Sequence, residues 1–152
     1  MLELYDDKYF MRRALDEARV ALGKDEVPVG AVIVADKKII ARAHNLTETL
    51  NDVTAHAEMQ AITSASNYLG GKYLKGCTLY VTLEPCQMCA GALYWAQISK
   101  IVFGAKDLHR GYQVMGTKLH PKTKVVQGVL AKESKLLIPV SYTHLRAHET
   151  SQ

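Results

Sequence analysis

A chain of 152 residues can bury one real core and is too short for several domains of ordinary size. Its 48% hydrophobic and 22% charged residues exclude a disordered or fibrous chain. A net charge of +4, from 19 basic and 15 acidic residues, is too mild to define an anionic partner by itself. The acidic start, residues 1–7, has no apolar run behind it, and the longest apolar stretch, residues 29–35, is far short of a bilayer span. Neither a signal peptide nor a membrane span is expected. Three cysteines, two of them close together, argue against a disulfide framework and for reduced, metal-competent thiols in the cytoplasm.

In chain order, residues 7–22 read as an amphipathic helix capped by Asp6 or Asp7. Its stripe is Met11, Leu15, Ala18 and Leu22, and Gly23 ends it. Pro28 leads into the apolar strand Gly30-Ala-Val-Ile-Val-Ala35, and a polar turn at residues 36–38 returns the chain as a hairpin partner at 39–43. A polar stretch, residues 45–54, precedes a second helix over 56–68 with Met59, Ile62 and Ala65 on its inner face. Residues 78–82 form a β-branched and aromatic strand that Glu84-Pro85 breaks. A third helix follows over 86–96, then a buried strand at 101–103. From residue 78 strands and helices alternate, which predicts a parallel portion of sheet covered by helices, with the hairpin at one edge of an α/β sandwich. Leu130, Ala131, Leu136 and Leu137 begin a last helix.

The tail reads differently. Val140-Ser-Tyr-Thr-His-Leu-Arg-Ala-His-Glu-Thr150 is the translation of a transposon-type sequencing adapter, so the domain is expected to span 1–138, with 139–152 an artefact outside the natural fold. This excludes His144 and His148 as ligands, and it implies that the natural C-terminal residues are missing.

Both segments that carry chemistry fall where a loop enters a helix: His56-Ala57-Glu58 and Cys86-Gln87-Met88-Cys89. At spacing i, i+3 the two sulfurs share a helical face and can grip one ion. A helix N-terminus favours the thiolate that zinc needs. His56, Cys86 and Cys89 make three ligands and leave a fourth position for water, the pattern of a catalytic zinc. Each piece has a plainer reading: a redox dithiol or half of a structural zinc site, a satisfied polar histidine, a first-turn glutamate favoured by the helix dipole. In order and together they match H-x-E…P-C-x-x-C, the signature of zinc deaminases, in which the glutamate is the general acid/base and not a ligand. Glu58 takes that role here, and one Zn2+ per subunit is expected. Cys77, with no near partner, reads as a small hydrophobe.

Four segments carry a closer resemblance: Val27-Pro-Val-Gly-Ala-Val-Ile-Val34, Asp52-Val-Thr-Ala-His-Ala-Glu-Met59, Leu79-Tyr-Val-Thr-Leu-Glu-Pro-Cys-Gln-Met-Cys-Ala-Gly-Ala-Leu93 and Val102-Phe-Gly-Ala-Lys-Asp107. Over residues 9–137 the chain resembles the bacterial tRNA-specific adenosine deaminases of the cytidine deaminase-like superfamily. The resemblance implies a three-layer α/β/α fold with a mixed sheet of about five strands and helices on both faces. It implies a cytoplasmic homodimer that converts the wobble adenosine of an arginine tRNA anticodon to inosine on a flipped-out base, with no DNA partner. It further implies that Asn45 contacts the purine, that Pro28 and Val29 line its pocket, and that Lys106 and Asp107 lie beside the anticodon loop. The cationic stretch Lys106, His109, Arg110, Lys118, His120, Lys122 and Lys124 is compatible with phosphate contacts, or equally with a solvated loop. Two other functions share these residues. A free-base or nucleoside deaminase acting on guanine or cytosine would keep the whole metal motif. A non-catalytic, zinc-stabilised RNA-binding module would keep the ligands but have no use for Glu58.

Overall fold

The computed structural model describes residues 5–138; the adapter-like segment, with His144 and His148, lies outside the described residues. The elements run α1 (Asp7–Gly23), β1 (Gly30–Ala35), β2 (Lys38–His44), α2 (Ala57–Leu69), β3 (Cys77–Leu83), α3 (Gln87–Ala96), β4 (Lys100–Ala105), α4 (Tyr112–Met115), β5 (Lys124–Gln127) and α5 (Ala131–Leu137). Five strands form one sheet in the order β2-β1-β3-β4-β5. The β2-β1 and β1-β3 pairs are antiparallel, while β3-β4 and β4-β5 are parallel. The hairpin edge and the parallel portion after residue 78 therefore stand as expected. Strand β5 and the short α4 were not foreseen.

Alternation along the strands divides the core in two. Val32, Val34, Tyr80 and Val102 face Phe10, Met11 and Ala14 of α1. Ala31, Ile33, Leu79, Val81, Ile101 and Phe103 face the other way, packing with Ala57, Ala61 and Ala65 of α2 and Ala90 and Leu93 of α3. The sheet is thus the middle layer of an α/β/α sandwich.

Local chemistry explains most boundaries. The Asp6 carboxylate accepts from the Tyr9 N–H at 2.8 Å and so caps α1. The buried stripe ends at Ala21 rather than Leu22, which is exposed: the helix turns its last alanine to the sheet. Asp36 and Lys37 both have positive φ, which gives the two-residue hairpin the twist that matches its strands. Gly30 begins β1 directly against α1, where a Cβ would overlap the carbonyl of Ala14 and the amide of Ala18; only glycine allows that approach. The inner face of α2 is Ala57, Ala61 and Ala65 with Glu58, so Met59 is only half-buried. In α5 the buried residue is Ser134, seated against Gly104, while Leu136 is 78% exposed. No helix among the described residues is long and apolar enough to cross a membrane.

Candidate metal centre

The site forms where two helices begin. His56 is the N-cap of α2 and Cys86 the N-cap of α3, each with extended backbone and neither using its side chain as a cap. Those side chains are therefore available to each other. Cys89 sits one turn further along α3. Strand β3 delivers Cys86 at its carboxyl end, where an open α/β sheet leaves a crevice for ligands.

The ligand atoms of His56, Cys86 and Cys89 all lie within 4.8 Å of one another, and all three residues are buried. Nδ1 of His56 lies 3.6 Å from the sulfur of Cys86 and 3.6 Å from that of Cys89. A zinc ion with bonds of about 2.05 Å to nitrogen and about 2.3 Å to sulfur, at tetrahedral angles, requires an N···S edge of about 3.6 Å. The donor set fits zinc in chemistry and in spacing. It also identifies Nδ1 as the nitrogen that turns to the sulfurs, a point on which the sequence is silent. Among the described residues this is the one cluster of three histidine, cysteine or acidic groups close enough to hold an ion.

The two kinds of thiol differ as their settings require. Hydrogen bonding from Cys89 lowers the Cys86 thiol to about 3, with further help from His56, against the opposing effect of burial. A thiolate is thus present at neutral pH. Burial alone pushes Cys77 up, and that residue opens β3 as a protonated, 1% exposed side chain, in agreement with its reading as a small hydrophobe.

Glu58 lies in the first turn of α2, two residues from His56, and is 0% exposed. An acid that merely complements a helix dipole sits in water. This one does not, and burying a carboxyl is costly without a reason.

An open cavity of about 800 Å3 extends outward from the cluster, lined by His56, Cys86, Gln87 and Met88, by the 47–53 loop and by Arg110 and Met115. That volume lies in the range of small-molecule sites and admits a nucleobase with room around it. A second cleft of similar volume, at the other end of the sheet, contains Asp7, Tyr80 and Lys100 and none of the metal cluster.

Pro28 and Val29 lead into β1, and Asn45 follows its hairpin partner β2. The Asn45 N–H donates to the Val29 carbonyl at 3.1 Å, and Asn45 and Val29 are buried. Lys106 is exposed just past β4. Asp107 is turned inward instead: its Oδ1 accepts from the N–H groups of His109 and Arg110 at 3.1 and 2.9 Å. His120 is likewise engaged, accepting from the Lys122 N–H at 3.1 Å.

Two buried acids were missed by the sequence reading. Glu84 accepts from the N–H groups of Asp107 and Gln113, both at 3.0 Å, and packs so tightly on Gly111 that a Cβ there would overlap its carboxyl. Glu26 holds the opposite wall, accepting from Asn45 Nδ2, the Glu48 N–H, and both the N–H and hydroxyl of Thr49. The available signal was their place: each directly precedes an apolar or proline-containing motif, where a lone acid has no obvious solvent role.

Residues 4–105 match the cytidine and deoxycytidylate deaminase zinc-binding region, and the chain belongs to that family of zinc-dependent deaminases. Within it, the chain is similar to the tRNA-specific adenosine deaminase of Bacillus subtilis, at 44% identity over 92% of this chain and 91% of that one. It is similar also to the tRNA-specific adenosine deaminase of Aquifex aeolicus, at 55% identity over 68% and 69% of the two chains. A solved structure from a study of A-to-I editing by tRNA:A34 deaminases superimposes with a TM-score of 0.81 at 44% identity, covering 86% of this chain and 99% of that one. Guanine deaminase of Bacillus subtilis superimposes with a TM-score of 0.66 at 42% identity, covering 67% and 66%.

Proposed function

We propose that this protein is a zinc-dependent hydrolase that deaminates the wobble adenosine of a tRNA anticodon, an arginine tRNA in particular, to inosine and ammonia. The observation that carries the reading is the buried three-ligand cluster from which an open cavity extends outward, with a buried glutamate two residues from its histidine. The near full-length similarity to tRNA-specific adenosine deaminases supports RNA as the substrate.

In this reading His56, Cys86 and Cys89 would hold zinc, which would supply a water acidic enough to ionise near neutral pH. Glu58 accepts a proton from the attacking water and passes it to the ring nitrogen beside the reacting carbon, then takes the second proton from the added hydroxyl and delivers it to the departing amine. Water adds to that carbon, the carbon–nitrogen bond breaks, and ammonia leaves. Asn45, with Pro28 and Val29, holds the base. Lys106, Asp107 and the cationic segment behind them border the anticodon loop. The deaminase unit spans residues 1–138.

A second reading, a free-base deaminase, draws on the guanine deaminase likeness. Steady-state rates on a wobble-adenosine stem-loop, free guanine and free cytosine separate the two. The RNA reading expects turnover of the stem-loop alone; turnover of a free base alone would remove it.

A cytoplasmic homodimer completes the proposal. Trp95 is 77% exposed on α3 beside Tyr94, and Leu108, Val114 and Met115 add exposed apolar surface. Patches of that kind mark association sites. Sedimentation at micromolar concentration should give twice the chain mass, and Trp95→Glu should shift the protein to the monomer. A monomeric wild type would contradict the dimer.

A further inference from the structure

Glu26 is 0% exposed, and its partners lie within residues 45–49, a segment from which Thr47 and Glu48 line the cavity. Oε1 accepts from Asn45 Nδ2 at 3.3 Å and from the Glu48 N–H at 3.1 Å. Oε2 accepts from the Thr49 N–H and hydroxyl, both at 2.6 Å. Burial pushes this carboxyl up, but the hydrogen bonds from Thr49 and Glu48 and the nearby His44 outweigh it and hold it below its usual range. The group stays ionised and can only accept.

An acceptor-only neighbour selects one end of an asparagine amide. Were the Asn45 side chain to flip, its Oδ1 would face the Glu26 carboxylate, two acceptors in a buried site with no proton between them. Nδ2 makes a second contact, to the Thr47 hydroxyl at 3.2 Å. Neither contact uses Oδ1.

We propose that Glu26 is a positioning residue for base recognition: it fixes the orientation of the Asn45 amide and pins residues 45–49, so that this wall presents one hydrogen-bonding pattern to the base. The inference rests on the functional reading above, in which Asn45 meets the base. Glutamine at position 26 would keep the volume but carry an NH2 of its own. It would tolerate both orientations of Asn45 and turn a donor towards the donors of Glu48 and Thr49.

The test is steady-state kinetics on a wobble-adenosine stem-loop with zinc-loaded wild type, Glu26→Gln, Asn45→Ala and the double variant. Glu26→Gln and Asn45→Ala should each raise KM about tenfold with kcat little changed, since both remove binding rather than chemistry. The double variant should be no worse than the poorer single, because the two residues act as one unit. Multiplicative losses, or a fall in kcat at unchanged KM, would overturn the proposal. Should Glu26→Gln fail to fold, Thr49→Val carries the test, because that exposed side chain loosens the carboxylate without entering the cavity. A KM raised about threefold at wild-type zinc content supports the inference, and an unchanged KM overturns it. A wild type that leaves the stem-loop untouched fails before any variant is made, and takes the functional reading down with the inference.

Discussion

Glu58→Gln should retain one zinc per chain and lose about 10²–10⁴ in kcat, the range that a positioned general acid/base contributes. The substitution keeps the side chain's size at a fully buried position, so the fold and the cluster of His56, Cys86 and Cys89 should persist. A glutamine cannot accept the water proton, and every later proton delivery depends on that first acceptance. Metal content by elemental analysis and single-turnover rates on the same preparation make the comparison. Near-wild-type turnover in a zinc-replete variant would remove Glu58 from the chemistry. It would also revive the view of this residue as a bystander of the helix start.

Cys86→Ser should have the opposite signature, with metal lost first and activity lost as a consequence. A serine hydroxyl does not ionise at neutral pH, whereas the Cys86 thiol is held at about 3. Its removal leaves one sulfur and one imidazole, too few for a tetrahedral zinc site. Zinc per chain should fall from one to near zero. Stability should fall with it, because a metal that binds only the folded state stabilises that state by mass action. The thermal transition of the variant should match that of wild type stripped with a chelator. Cys77→Ser is the control: that thiol is buried at the edge of β3 and lies outside the cluster, so zinc content should not change. Full zinc occupancy in Cys86→Ser would contradict the ligand assignment.

The parts of this molecule that could be read in advance are those written in short-range spacing. The hairpin shows as two apolar runs around a polar turn. The metal cluster shows as Cys86 and Cys89 at i, i+3 and as His56 two residues before Glu58, each pair on a helix start. What escaped is of two kinds. Strand β5 is only four residues long, largely exposed and held by its backbone pairing with β4, so no burial pattern announces it. The carboxylates of Glu26 and Glu84 reach partners 19 to 29 residues away, a relation with no period to detect. Hydrophobicity misled at the helix faces. Leu22, Met59 and Leu136 look more apolar than the residues that do face inward: Ala21, Ala61 and Ser134. At these three places the helix meets its neighbours through a small side chain, and the larger apolar residue beside it is left partly or largely exposed. Asp107 shows a related limit: that its carboxylate also folds its own loop, through the N–H groups of His109 and Arg110, has no signature in the sequence.

The proposed reaction replaces the amine of a wobble adenosine with an oxygen from water in this cavity. Zinc-loaded protein incubated with an anticodon stem-loop in ¹⁸O-labelled water, followed by mass analysis of the digested nucleosides, tests it in one measurement. Inosine should form at the wobble position alone, carrying one heavy oxygen. Unchanged adenosine, or inosine without the label, would contradict it.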